Sequence, residues 1–178
     1  MKNTRYYNLK SLIILFVVVA ITACTGMPKK VNPVADFELD KYLGKWYEIA
    51  RLDHSFERGM NQVTATYSLR DDGGVKVENR GYSEIDQQWS EVEGKAYFVD
   101  KNDEGYLKVS FFGPFYGSYV IFELEKENYQ YAFISGPNLE YLWLLSRTPK
   151  VPENIIEKFL TMSAERGFNT SEIIFVNH

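Results

Sequence analysis

Cysteine is nearly missing from this chain, Cys24 being the single one. One thiol excludes an internal disulfide framework and any cysteine-built zinc cluster. Histidine is also scarce: His54 and His178 are the two present, too few for an imidazole-ligated metal centre. No Gly-x-Ser-x-Gly elbow occurs either. No apolar run reaches the ~20 residues that a membrane-crossing helix requires; Leu12 to Ile21, the greasiest stretch, covers about half of that. The basic residues are scattered and the net charge is −4, which speaks against nucleic acid as a partner. No metal or cofactor is expected, and no enzyme activity. Glu48 and Glu123 are the acids placed for burial, and satisfaction by their neighbours explains them without catalysis.

What is present begins with a leader. Lys2, Arg5 and Lys10 precede the greasy stretch, and the small residues Thr22 and Ala23 follow it, directly before Cys24. That order is the layout of a cleaved export signal. Ile21-Thr22-Ala23-Cys24 resembles the lipobox of bacterial lipoproteins. The resemblance implies cleavage after Ala23, diacylation of the Cys24 thiol (palmitate being a typical chain) and acylation of the new amino terminus. Two or more acyl chains hold a protein stably on a membrane where one holds it marginally. With Thr25 rather than Asp behind the cysteine, the resemblance implies the outer membrane, the protein anchored through lipid on the periplasmic side. Residues 1–23 thus read as signal peptide, 24–33 as a lipidated tether of turn formers and lysines, and 34–178 as one folded domain.

Aromatic residues are abundant at 16% (13 Tyr, 12 Phe, 3 Trp), a composition suited to pleated, half-buried surfaces. From Phe37 onward short runs alternate with period two. They cover Trp46 to Leu52, Val63 to Leu69, Val75 to Arg80, Glu91 to Asp100, Gly105 to Phe112, Ser118 to Glu125, Tyr129 to Ser135 and Tyr141 to Ser146. Turn residues separate them, Asp71-Asp72-Gly73-Gly74 being a strong hairpin signal. Helical periodicity occurs once, with Ile155, Ile156, Phe159, Leu160 and Met162 on one face, Pro152 in front and Gly167 as cap. Ile173 to Val176 reads as a short closing strand. The fold class is all-β: an eight-stranded antiparallel up-and-down barrel or, on pattern alone, a sandwich, with one C-terminal α-helix packed outside.

Two distant motifs favour the barrel. Gly44-Lys45-Trp46-Tyr47-Glu48-Ile49-Ala50-Arg51 resembles the first-strand signature of the lipocalin family, whose core is Gly-x-Trp, and Leu145-Ser146-Arg147-Thr148-Pro149 resembles the arginine motif ending its eighth strand. Gly136-Pro137-Asn138 with Tyr141 stands at the family's middle motif, without the usual Thr-Asp-Tyr. The resemblance spans the mature domain and is strongest to the outer-membrane bacterial members. Alternating strand direction puts the start of strand one and the end of strand eight at the same end, where Arg147 can lie over the Trp46 indole and close the barrel.

The mouth then lies at the other end, among the turns 54–61, 83–88, 113–117 and 136–140. The turn beyond Phe111 is aromatic enough to form a greasy rim that guides an acyl chain inward or touches membrane. Tyr116 offers a hydroxyl there, and His54, Glu57 and Arg58 are natural partners of a charged head group. Alternation places Val63, Ala65, Tyr67 and Leu69 inside, with Val77, Asn79, Gly94, Ala96, Phe98, Leu107, Val109, Phe111, Ala132, Ile134, Tyr141, Trp143 and Leu145. Strand six stays open: Tyr119 and Ile121 share parity with Glu123, so facing them inward buries a carboxylate, whereas facing Val120, Phe122 and Leu124 inward does not. The small residues Gly94, Ala65, Ala96 and Ala132 leave room for a cavity. The resemblance implies a fatty acid or lysophospholipid as ligand, with Ala65, Tyr67, Val77, Asn79, Ala96, Phe98, Val109, Phe111, Tyr116, Ile134, Tyr141 and Trp143 as its contacts. An envelope scaffold is the rival reading, but the polar outer faces of strands two and three mark no partner surface. Weak pairing of two copies through the mouth loops is compatible with the pattern and not fixed by it.

Overall fold

The computed structural model describes residues 25–178; the leader and Cys24, and with them the expected cleavage and lipidation, lie outside the described residues. A four-residue helix α1 (Leu39–Tyr42) precedes eight strands: β1 (Gly44–Arg51), β2 (Met60–Leu69), β3 (Val75–Ser83), β4 (Gln88–Phe98), β5 (Tyr106–Ser110), β6 (Gly117–Leu124), β7 (Tyr131–Ser135) and β8 (Leu142–Ser146). Helix α2 (Glu153–Arg166), a 3₁₀ turn (Thr170–Glu172) and β9 (Ile174–Phe175) follow. Each strand pairs antiparallel with the next, and β1 pairs with both β8 and β2, so the sheet closes on itself. This removes the free edges of an open sheet. β9 adds to the outer side of β1 through Ala50 and Arg51.

Two cores result. The inner one gathers Phe37, Tyr42, Trp46, Tyr67, Val77, Ile121, Leu124, Ala132 and Ile134, and the outer one lies between the barrel wall and α2. Phe159 of α2 packs edge-on against Phe133 at 5.0 Å between ring centres. Gly167 ends α2 in the left-handed region (φ 94°) and donates to the Ala164 carbonyl, as a helix cap requires.

The two registers of β6 are both used. A bulge between Ile121 and Glu123 interrupts the pairing with β7. Tyr119 and Ile121 face the interior; Phe122 is the extra residue and joins Val120 in the outer core; Leu124 returns to the interior. Glu123 is thereby turned out to Lys158 of α2, 2.6 Å away, and no carboxylate is buried there. A second bulge in β1, between Glu48 and Ala50, brings Arg51 onto the inner face with Glu48, against strict alternation.

Three expectations need correction. Residues 25–33 are not a slack tether: Val31 is buried in the outer core, Ser118 Oγ donates to the Gly26 carbonyl at 2.6 Å, and the Tyr106 hydroxyl donates to that of Thr25. Apolar Met27 and Val31 find a surface under α2, which lysine-rich composition concealed. Leu69, on the inward parity, is exposed because the β1–β2 pairing ends at Gly44 and Tyr67, so β2 overshoots the barrel wall. Gly94 provides no empty space, since the Phe111 ring lies 2.7 Å from where its Cβ would stand.

Candidate functional site: a one-ended barrel cavity

The floor is made first by covalent neighbours. α1 crosses the end of the barrel, and the Trp46 indole donates to the carbonyl of Tyr42 at 2.8 Å. Trp46 has no exposed surface. The Arg147 guanidinium sits 4.0 Å from the centre of its ring, and the same guanidinium donates to the carbonyls of Lys45 (3.0 Å), Lys41 (2.7 Å) and Tyr129 (3.3 Å). A planar, delocalised cation can stack and fork in this way; an ammonium cannot. Gly44 takes φ 91°, a conformation that disfavours a Cβ, where the chain passes from α1 into β1 beside Arg147.

Above the floor lies a cavity of about 480 Å³, within the range that holds one small ligand. Of the sequence-predicted contacts, Ala65, Tyr67, Val77, Asn79, Ala96, Val109, Phe111, Tyr141 and Trp143 line it. Three do not. Phe98 packs edge-on against Phe37 beside the floor, and Ile134 is wholly buried in the inner core. Tyr116 folds onto the outer wall, its ring against Tyr97 and under the Lys108 ammonium, two residues that pair with each other across β4 and β5.

Polar groups are concentrated in two places. Deep in the barrel the Tyr119 hydroxyl is hydrogen-bonded to those of Tyr42 (2.7 Å) and Tyr67 (2.8 Å). Burial pushes all three phenols above their ordinary range, so they remain neutral donors. Nearer the mouth, Arg51 Nη1 meets Glu48 Oε1 at 2.7 Å, both side chains fully enclosed. Nη2 of Arg51 donates to the carbonyls of Glu57 (2.8 Å) and Met60 (3.2 Å), pinning the β1–β2 loop. Glu57 accepts from Trp143 Nε1 at 3.1 Å. Burial raises the carboxyls of both Glu48 and Glu57, and Glu57 adds to the rise at Glu48.

The sequence puts His54, Glu57 and Arg58 at the rim as partners of a charged head group. Instead His54 stacks on Phe56 (4.3 Å) and beside Trp143 (5.0 Å), and Glu57 is buried under Trp143. Arg58 turns outward to Asp53 at 2.7 Å. The β1 bulge and the Arg51 fork curl this loop inward, so its polar residues become wall. Sequence reasoning passed over Tyr42, Arg51 and Phe56. The α1 residues carry no period-two signal, and Arg51 is outward by simple alternation; Tyr42 alone was within reach, as an aromatic four residues before the Gly-x-Trp tryptophan.

A family model described as a lipocalin-like domain matches residues 37–178. The chain belongs to the lipocalin family. It is 63% identical over 168 residues to the outer membrane lipoprotein Blc of Vibrio cholerae, covering 94% of this chain and 98% of that one. It is 49% identical over 161 residues to the outer membrane lipoprotein Blc of Escherichia coli K12, covering 90% of each. Insecticyanin of the tobacco hornworm Manduca sexta shares the fold at a TM-score of 0.68 and 20% identity, covering 86% of this chain and 87% of that one. This lipocalin is an outer-membrane protein, in agreement with what the leader implied. Its family is one of proteins that bind small apolar ligands.

Proposed function

We propose that this lipocalin binds a fatty acid or lysophospholipid in its barrel and carries or stores it at the outer membrane, tethered through acylated Cys24. The observation that supports this most is the 480 Å³ cavity walled by Val77, Ala96, Val109 and Phe111, which suits a hydrocarbon tail. Burying a dozen methylenes at ~0.8 kcal/mol each yields a gross ~10 kcal/mol, much of it offset by association and ordering costs. Asn79 lines the same wall, and its Oδ1 has no protein partner, a handle for a glycerol hydroxyl. At the mouth Trp143 donates to the Glu57 carboxyl, and Phe56 and Tyr141 line the same cavity, an arrangement that suits the ammonium of a lysophospholipid head.

The test is native mass spectrometry of the protein stripped of lipid, mixed with lysophosphatidylethanolamine or with a fatty acid of equal chain length. A 1:1 complex with quenching of Trp143 fluorescence is expected, the lysophospholipid being retained at higher collision energy. Absence of any complex with either lipid overturns the reading.

A further inference from the structure

The two ends of the barrel differ in chemistry. The turns at the floor end are charged: Arg70, Asp71 and Asp72 after β2, Asp100, Lys101, Asp103 and Glu104 after β4, Glu125, Lys126 and Glu127 after β6. Every turn at the mouth presents a large exposed apolar side chain: Phe56 after β1, Ile85 after β3, Phe112 and Phe115 after β5, and Leu139 after β7. Phe112 and Phe115 are 77% and 78% exposed, and their turn, residues 111–116, contains no charged residue. The turn after β3 carries Glu84 and Asp86, and that after β7 carries Glu140. The lip is thus greasy throughout but fit for burial in lipid on the β5–β6 side.

The amino-terminal segment reaches the same side. Phe37 N–H donates to Asp103 at the floor end, Val34 N–H to Ile121 midway along β6, and the Gly26 carbonyl accepts from Ser118, the second residue of β6 behind the mouth turn. The chain therefore climbs the outer wall from floor towards mouth when followed backwards. Cys24 is two residues from Gly26, at most about 7 Å further along an extended chain. The described chain thus ends close behind the β5–β6 turn of the lip.

We propose that the mouth of the barrel is held against the bilayer that carries the anchor, tilted onto its β5–β6 side, with Phe112 and Phe115 inserted among the lipid head groups. This rests on the reading of Cys24 as acylated. The docked segment fixes where the anchor leaves the fold; the uncharged aromatic turn fixes which part of the lip enters. A ligand can then pass between bilayer and cavity without crossing water. Exposed Phe side chains gain by leaving water, and interfacial aromatic insertion adds to an acyl anchor as a second attachment does.

The acylated full protein can be reconstituted into phosphatidylethanolamine–phosphatidylglycerol vesicles with an environment-sensitive dye on Phe115→Cys or, at the floor end, on Asp71→Cys. The expected result is a blue-shifted label at 115, quenched by spin-labelled lipid, and a water-like label at 71. Vesicle-bound protein with both labels water-like, or with the label at 71 the more quenched, overturns the proposal. Protein that fails to float with vesicles and shows no acyl mass on its amino-terminal peptide refutes the anchor reading, and the orientation with it. The Phe112→Ser, Phe115→Ser double variant separates the lip from the anchor. It is expected to float as before and to take up lysophospholipid from vesicles several-fold more slowly, with binding from dilute solution unchanged; unaltered uptake counts against the proposal.

Discussion

His54 is the residue whose chemistry departs furthest from its appearance in the sequence. Enclosed by Phe56, Tyr141 and Trp143, it is desolvated, and the nearby Arg51 cation adds to the effect, so its pKa falls from 6.5 to about 4. The unfolded chain binds a proton to this imidazole near pH 6.5, the folded chain only near 4. Its contribution to stability is therefore complete above pH 6.5 and is lost as the pH falls towards 4. Glu48 and Glu57 act with the opposite sign: burial raises them, so their contribution is complete below the unfolded value and declines as the pH rises past it. A wild-type curve mixes the two. Subtracting the curve of His54→Phe, which keeps the ring stack, isolates the imidazole. Urea unfolding of the pair is expected to show a difference that shrinks from pH 7 to pH 5 by up to ~1.4 kcal/mol per pH unit. A difference independent of pH would mean that the imidazole titrates as it does in water.

At the scale of elements, β4 and β5 are matched through a glycine and a ring. Phe111 occupies the space over Gly94, with its Cδ1 2.7 Å and the Ser110 carbonyl oxygen 2.9 Å from the position of an added Cβ. Backbone cannot yield as a side chain can. Gly94→Ala is expected to destabilise by about 1–3 kcal/mol in urea unfolding, with part recovered by Phe111→Leu; a neutral alanine would show that the strands slide freely. This pair also shows what the sequence disclosed and what it hid. Period two identified eight strands and their inward faces because most of them obey strict alternation. Parity alone made Gly94 look like room for ligand, since the ring that fills it comes from a neighbouring strand. It likewise could not choose a face for β6, because the bulge at Phe122 satisfies Tyr119, Ile121 and Leu124 inside and Glu123 outside at once. The Arg51–Glu48 pair was hidden by the β1 bulge for the same reason. Residues 25–33 looked like linker because one buried apolar side chain, Val31, and one half-buried, Met27, are too few to make a period.

At the scale of the whole molecule, the barrel forgoes packing to stay hollow. Protein interiors are normally close-packed, and the walls of a void lose the dispersion contacts that a filled core provides. The protein tolerates this because closure leaves no sheet edge, the floor is tied by Trp46 and Arg147, and the wall behind β6 to β8 is backed by α2. The cost of the void and the affinity for a ligand are then two sides of one quantity. Ala65 stands opposite Trp46 in the β1–β2 register and faces the cavity. A larger side chain there takes up cavity volume. Ala65→Phe is expected to raise the stability of the ligand-free protein by about 1–2 kcal/mol through burial of the added carbons. The same change should remove the stabilisation that saturating lysophospholipid confers on the wild type, ~2.7 kcal/mol at a hundredfold excess over Kd. Thermal unfolding with and without lipid checks both. Two curves that coincide for the variant, above the ligand-free wild type, would show that lipid and side chain compete for one space. A variant that still shifts with lipid would place the ligand outside the barrel.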